Sequence, residues 1–192
     1  MTARVVVFAR HPTPGEAKTR LIPALGPEGA AALHRRMVER TLAAVRASRL
    51  PFELRVSGAS PAAFHEWLGP VAVLDQGEGG LGERLDRAGP PYPVIFIGAD
   101  APDLRPEHLR AAADALAHAP AAIGPAEDGG YWLLGLARAV PGVFNGVAWG
   151  TDAVFAQTLA RLRAAHIEPA VLPVLADLDR PEDLARWPEL TA

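Results

Sequence analysis

The sequence predicts an α/β protein, a three-layer α/β/α sandwich around a mostly parallel, mixed sheet. Three observations carry this. Short apolar runs alternate with alanine-rich helical segments along the chain. One run, PVIFIGAD (residues 93–100), is apolar almost throughout, as a central parallel strand covered on both faces must be. Residues with chemical potential recur where such runs end, which is where ligands bind in these sheets.

In chain order, VVVFA (Val5 to Ala9) reads as a buried strand. Leu33, Met37, Thr41 and Val45 then repeat every four residues, in a helix starting near Pro27. FELRV (52–56) and SPAAFHEWLG (60–69) repeat the strand-then-helix unit, with Ser60 as N-cap before Pro61. VAVL (Val71 to Leu74) is a third strand, followed by a glycine-rich loop and the central strand. A helix runs from Pro106 to about Ala117. The second half is less regular: AAIGP (121–125), the loop AEDGG (126–130), the strand-like YWLLGL (131–136) and a helix from about Thr151 to Ala165. A last strand lies near PAVLPVL (169–175), and a short helix, PEDLARW (181–187), closes the chain. Parallel crossovers are expected to be right-handed.

The length suits one domain, residues 1–192, hiding roughly 70% of the surface its unfolded chain would expose. There is no cysteine, which excludes disulfides and thiolate metal sites and leaves oxygen or histidine ligands for any metal. A net charge of -3 with both signs interspersed gives no basic face for nucleic acid. MTARVVVFAR runs directly into a strand without a leader, and no apolar run approaches the roughly 20 residues of a membrane helix. The expectation is a cytoplasmic protein without a membrane span.

Four loops hold the candidate chemistry. In FARHPTPGEAKTRL (8–21), Gly15 permits unusual backbone angles, and Lys18, Thr19 and Arg20 supply two cations and a hydroxyl. Lys18 is the single lysine beside eighteen arginines, so a compact ammonium stands where a planar guanidinium would behave differently. The loop is not a P-loop, since Ala17 precedes the lysine. Phosphate binding is the functional reading, a solvated turn the structural one. In DQGEGGLGERL (75–85), Gln76 can donate and accept at a base edge, with Gly79 and Gly80 allowing close approach, or the segment is only a flexible turn.

GADAPDL (98–104) places Asp100 at the end of the best strand and Asp103 three residues on. Neighbouring carboxylates repel unless a cation lies between them, which fits Mg²⁺ beside a phosphate loop; Asp103 is equally an N-cap for the helix at Pro106. In GPAEDGGYWLLGL (124–136), Asp128 is a candidate general base or acceptor-binding carboxylate, or part of a polar turn. DLDRPEDL (177–184) adds Asp177 and Asp179, the latter also a plausible helix cap. The six histidines show no zinc spacing. His11 lies in the first loop, and the others, His34 among them, are expected to be solvated on helices.

Taken together, FARHPTPGEAKTRL, GADAPDL, GPAEDGGYWLLGL, WGTDAVF and DLDRPEDL resemble the GT-A-like bacterial transferases known as radical-SAM/selenodomain-associated glycosyltransferases. The resemblance spans nearly the whole chain and extends distantly to phospholactate and molybdenum-cofactor guanylyltransferases. It implies the nucleotide-diphospho-sugar transferase fold, with a nucleotide at Lys18 and Arg20, Gln76 near the base, and Mg²⁺ or Mn²⁺ at Asp100 assisted by Asp179. The chain departs from the family pattern in reading Asp-Ala-Pro-Asp for Asp-x-Asp and in carrying Arg180 where threonine is usual, so Asp103 and Asp179 both stand as second ligand.

The expected activity is transfer from a nucleotide sugar to a small-molecule or glycan acceptor, with Asp128 positioning or deprotonating it. The alternatives are nucleotidyl transfer from a nucleoside triphosphate, releasing pyrophosphate, and nucleotide binding without turnover.

Overall fold

The computed structural model describes residues 2–191; Met1 and Ala192, the ends of the expected domain, lie outside them. Among the described residues, seven strands form one sheet: β1 (Arg4–Arg10), β2 (Phe52–Ser57), β3 (Val73–Asp75), β4 (Val94–Ile97), β5 (Ala121–Pro125), β6 (Tyr131–Leu136) and β7 (Ala170–Val171). Their order is β3-β2-β1-β4-β6-β5-β7, with only β6 antiparallel to its neighbours. The exception follows from connection length, because a tight turn joins β5 to β6 and only an antiparallel pair can be linked so briefly.

Five helices of the described residues cover the sheet: α1 (Ile22–Ser48), α2 (Pro61–Leu68), α3 (Leu81–Ala88), α4 (Pro106–Ala115) and α5 (Val154–Ala164). Alternation along β1 divides them. Val5, Val7 and Ala9 pack with Leu42 and Val45 of α1, Phe64 of α2 and Leu109 of α4. Val6 and Phe8 pack on the other face with Leu85 of α3, Leu162 of α5 and Phe144. The three-layer sandwich expected from the strand–helix alternation is the structure found. No helix of the described residues is long and apolar enough to cross a membrane.

The differences from the sequence reading have local causes. The first helix begins at Ile22, but Gly26 breaks it with a φ of 70°, so the regular part does start at Pro27. Ser60 accepts the Ala63 amide as the expected cap. Half of the glycine-rich loop is helix α3, whose Leu85 and Ala88 are buried. Gly82 sits inside this helix because a Cβ there would lie 2.8 Å from the Phe144 carbonyl oxygen. The last strand shrinks to two residues and a single bridge from Ala126 to Leu175, since Pro169 and Pro173 interrupt it and have no N–H to pair. Within PEDLARW a 3-10 turn spans Pro181–Arg186, and Trp187 and Leu190 beyond the turn pack on Leu33 and Met37 of α1.

This topology gathers the chemistry. The carboxyl ends of parallel β1, β2 and β4, the β5–β6 turn and the start of β6 all reach one edge of the sheet, where the 177–179 segment also passes.

Candidate active site

Lys18 is the hub of this edge. It adopts the left-handed region (φ 47°, ψ 47°), uncommon for a residue with a side chain, and this aims the chain inward. Its side chain is 4% exposed, and its Nζ lies 2.6 Å from Asp100 Oδ1 and 3.4 Å from Asp179 Oδ1. The same ammonium donates to the Leu178 carbonyl at 2.5 Å, and the Leu178 amide donates to the Asp100 carbonyl at 2.8 Å. One buried cation therefore pins two acidic loops that are 79 residues apart in sequence. Burial works to lower the Lys18 pKa, but the two carboxylates more than offset it and hold it above the usual value. Burial likewise opposes ionisation of Asp100, and the Lys18 ammonium beside it holds that carboxyl below the usual range.

All three N–H donors of Lys18 thus meet protein oxygens, with none left over for a phosphate in this arrangement. Arg20, about half exposed, pairs with Asp179 Oδ2 and presents the accessible cation. Asp179 therefore engages cations through both oxygens, whereas Asp100, its side chain 58% exposed, keeps Oδ2 free of partners among the described residues.

Two cavities meet at these groups. One, of about 420 Å³, is lined by Arg10, Lys18, Thr19, His34, Ser57 and Gln76. The other, of about 360 Å³, is lined by Asp128, Asp177, Tyr131, Trp132, Trp149 and Thr151. Asp100, Asp179, Arg20, Phe8 and Leu81 line both, so the carboxylate pair stands at the junction.

Of the residues singled out by sequence, Lys18, Thr19, Arg20, Gln76, Asp100, Asp128 and Asp179 line this double cleft. Gly15, Gly79, Gly80 and Asp103 do not. Gly15 turns the first loop at φ 80°. Gly79 and Gly80 support α3, Arg84 donating to the Gly79 carbonyl and the Gly80 amide donating to Glu83. Asp103 lines neither of these two cavities and does not cap α4, whose N-cap is Arg105. Nor is Asp179 a cap: Asp183 Oδ2 accepts both the Asp179 and Arg180 amides.

Gln76, 7% exposed, donates through Nε2 to the carbonyls of Ala9 and Arg55 and accepts from Arg84. Both amide donors are spent on β1 and β2, so it fixes the cavity wall and offers no free donor to a base.

His34 corrects the expectation of a solvated helix residue: it is buried, it lines the larger cavity, and Nε2 bonds the Arg10 carbonyl at 3.0 Å. Its heptad-like neighbours Leu33 and Met37 carried the signal, since His34 continues their buried stripe. Trp149 lines the smaller cavity and packs against the core, edge-on to Tyr131 with centroids 6.4 Å apart.

Asp177 gained no role from its sequence context, yet this environment raises its pKa well above the usual carboxylate range. Burial, then the nearby charges of Asp128, Asp183 and Asp179, raise its pKa to about 6. A folded-state pKa above the unfolded value means that the fold holds this proton more tightly. Its contribution to stability is complete below about pH 4 and is lost as pH rises through 6. Asp177→Asn is therefore expected to raise stability above pH 7 by about 1 kcal/mol, after allowance for partial exposure, and to flatten the pH 4–7 limb of urea-melt stability. An unchanged limb would show that the carboxyl ionises normally.

Among the described residues, no three His, Asp or Glu side chains are grouped as a ready metal site. The junction nonetheless has the donor chemistry for one hard cation: Asp100 and Asp179 already converge within 3.4 Å of one positive nitrogen.

Comparison with known proteins bears on the fold and the family. A protein of Desulfovibrio desulfuricans G20, named as a candidate nucleotide-diphospho-sugar transferase, is 35% identical, with 94% of this chain and 84% of that one covered and a TM-score of 0.85. A Mycobacterium tuberculosis H37Rv protein in complex with manganese has a TM-score of 0.61 at 21% identity, over 98% of this chain and 99% of that one. The 2-C-methyl-D-erythritol 4-phosphate cytidylyltransferase of Thermus thermophilus gives 0.58 at 18%, over 100% and 99%. The last two share the fold. No curated protein matches the sequence. The family model "Uncharacterized protein conserved in bacteria (DUF2064)" matches residues 40–151, more than half of the chain. The protein belongs to that family and has the nucleotide-diphospho-sugar transferase fold.

Proposed function

We propose that this protein is a metal-dependent transferase that uses a nucleotide-activated donor, with glycosyl transfer from a nucleotide sugar as the reaction. One observation carries the reading: two cavities of opposite character meet at a cation-bridged carboxylate pair on the carboxyl edge of the sheet. The larger, with Arg10, Lys18 and Arg20, suits the donor diphosphate; the smaller, with Asp128, suits the acceptor.

Arg20 faces the diphosphate directly. Lys18 adds positive charge beneath it while holding Asp100 and Asp179 in register. Asp100, through its free Oδ2, and Asp179 are the residues that would hold Mg²⁺ or Mn²⁺. When bound, such an ion supplies charge neutralisation at the departing phosphate oxygen. Asp128 Oδ1 accepts the Gly130 amide at 2.8 Å, which fixes the carboxylate in the turn. It takes the proton from the acceptor hydroxyl as that oxygen bonds to the sugar's anomeric carbon. The bond from that carbon to the diphosphate breaks, and its electron pair leaves on the nucleoside diphosphate.

Thermal shifts against UDP-, GDP-, ADP- and dTDP-sugars and the free triphosphates, with and without Mn²⁺, test this. A nucleotide at 100 times its dissociation constant adds about 2.7 kcal/mol of stability. Metal-dependent stabilisation by one nucleotide family, lost in Arg20→Ala and Asp100→Ala, is expected. Product analysis then separates the reactions, since glycosyl transfer releases nucleoside diphosphate and nucleotidyl transfer releases pyrophosphate. No response to any nucleotide would overturn the reading.

A further inference from the structure

We infer that the smaller cavity selects an uncharged or cationic acceptor with an apolar face, and turns away phosphorylated or carboxylated ones. This deepens the proposed transferase reading and rests on it. The argument begins from how charge is divided along the cleft. In the larger cavity three cations, Arg10, Lys18 and Arg20, face two carboxylates, Asp100 and Asp179. The smaller one shares Asp100 and Asp179, which Lys18 and Arg20 already neutralise, and adds Asp128 and Asp177, which have no cation partner among the described residues. A ligand in the smaller cavity therefore meets unpaired negative charge. An anionic acceptor would be repelled there in a partly enclosed space where charges are weakly screened.

The rest of that lining is apolar or aromatic. Phe8 and Leu81 form part of the shared border, Leu81 is 40% exposed, and Tyr131 and Trp149 stand edge to face at the wall. A half-buried tryptophan and an exposed leucine in a cavity lining offer an apolar face to a ligand, while the carboxylates accept its hydroxyl or amine hydrogens. The volume of about 360 Å³ is at the small end of ligand pockets, and fits a single ring with a short apolar substituent.

This charge pattern also bears on the reaction. Nucleotidyl transfer to a phosphorylated acceptor brings a second phosphate to the α-phosphorus. The smaller cavity has no free cation among the described residues to receive one, whereas a neutral hydroxyl beside Asp128 suits glycosyl transfer. A divalent ion at Asp100 and Asp179 would leave Asp128 and Asp177 uncompensated.

The test uses the full chain with Mn²⁺ and the nucleotide that stabilises it, and follows tryptophan fluorescence during titration with three matched probes: phenyl β-glucoside, its 6-phosphate and its 6-amino analogue. The uncharged and amino probes are expected to bind at least about tenfold more tightly than the phosphate. Asp177→Asn, checked for folding by circular dichroism, is expected to narrow that gap by improving the phosphate probe alone. Tighter binding of the phosphate, or no response to the uncharged and amino probes, overturns the inference. Nucleotide stabilisation is recorded in the same samples. Its presence leaves the donor reading standing whatever the acceptor result, and its absence removes that reading itself.

Discussion

Lys18→Ala is expected to lower folding stability by about 3 kcal/mol, which in a chain of this size shifts the melting temperature by roughly 10 °C. The ammonium lies almost wholly inside, so its loss strands the Leu178 carbonyl and leaves Asp100 without a cation beside Asp179, which keeps Arg20 alone. Solvent reaches the half-exposed Asp100 and limits the penalty, which is why the lower end of the range for broken buried pairs applies. Lys18→Arg is not expected to rescue it, because a planar fork cannot place its donors on three oxygens arranged around one nitrogen. Urea melts of both variants at pH 7 check this. A loss below about 1 kcal/mol would mean that the 18–100–179 contacts contribute little to the fold. If the expected loss is found, weakened nucleotide binding in Lys18→Ala says nothing specific about phosphate, and Arg20→Ala becomes the informative variant.

Asp100→Asn should reduce turnover by about 10²–10³-fold and abolish metal-dependent stabilisation by the nucleotide, while melting far less than Lys18→Ala does. Asparagine keeps the side chain's shape, and Lys18 retains both the Leu178 carbonyl and Asp179. The negative charge disappears from the carboxylate at the junction that keeps a free oxygen. Isothermal titration with Mn²⁺ and the responding nucleotide, beside steady-state kinetics, separates the two effects. Metal-dependent binding equal to that of the unaltered protein would remove Asp100 from the metal's surroundings.

The fold was legible because its signals are local. Apolar runs such as VIFI must be covered on both faces, four-residue spacing in α1 allows only a helix, and Ser60-Pro61 marks a helix start whichever fold surrounds it. Helix α3 was hidden because Gly77, Gly79, Gly80 and Gly82 read as a flexible loop, whereas Gly82 is required by the approach of the Phe144 backbone, a contact 62 residues away.

The sequence by itself determined the layer architecture and singled out the lone lysine and the strand ends where the candidate residues gather. Tertiary structure alone decided what that lysine does. A lysine in a glycine-bearing loop reads as a phosphate ligand until the fold brings Asp100 and Leu178 to the same point, and an ammonium with three donors then satisfies three protein oxygens. The same convergence gave Asp177 its raised pKa, took Gln76 into the wall and left Asp103 outside. Each outcome depends on distances between residues far apart in the chain, and burial and charge act through those distances rather than through sequence spacing.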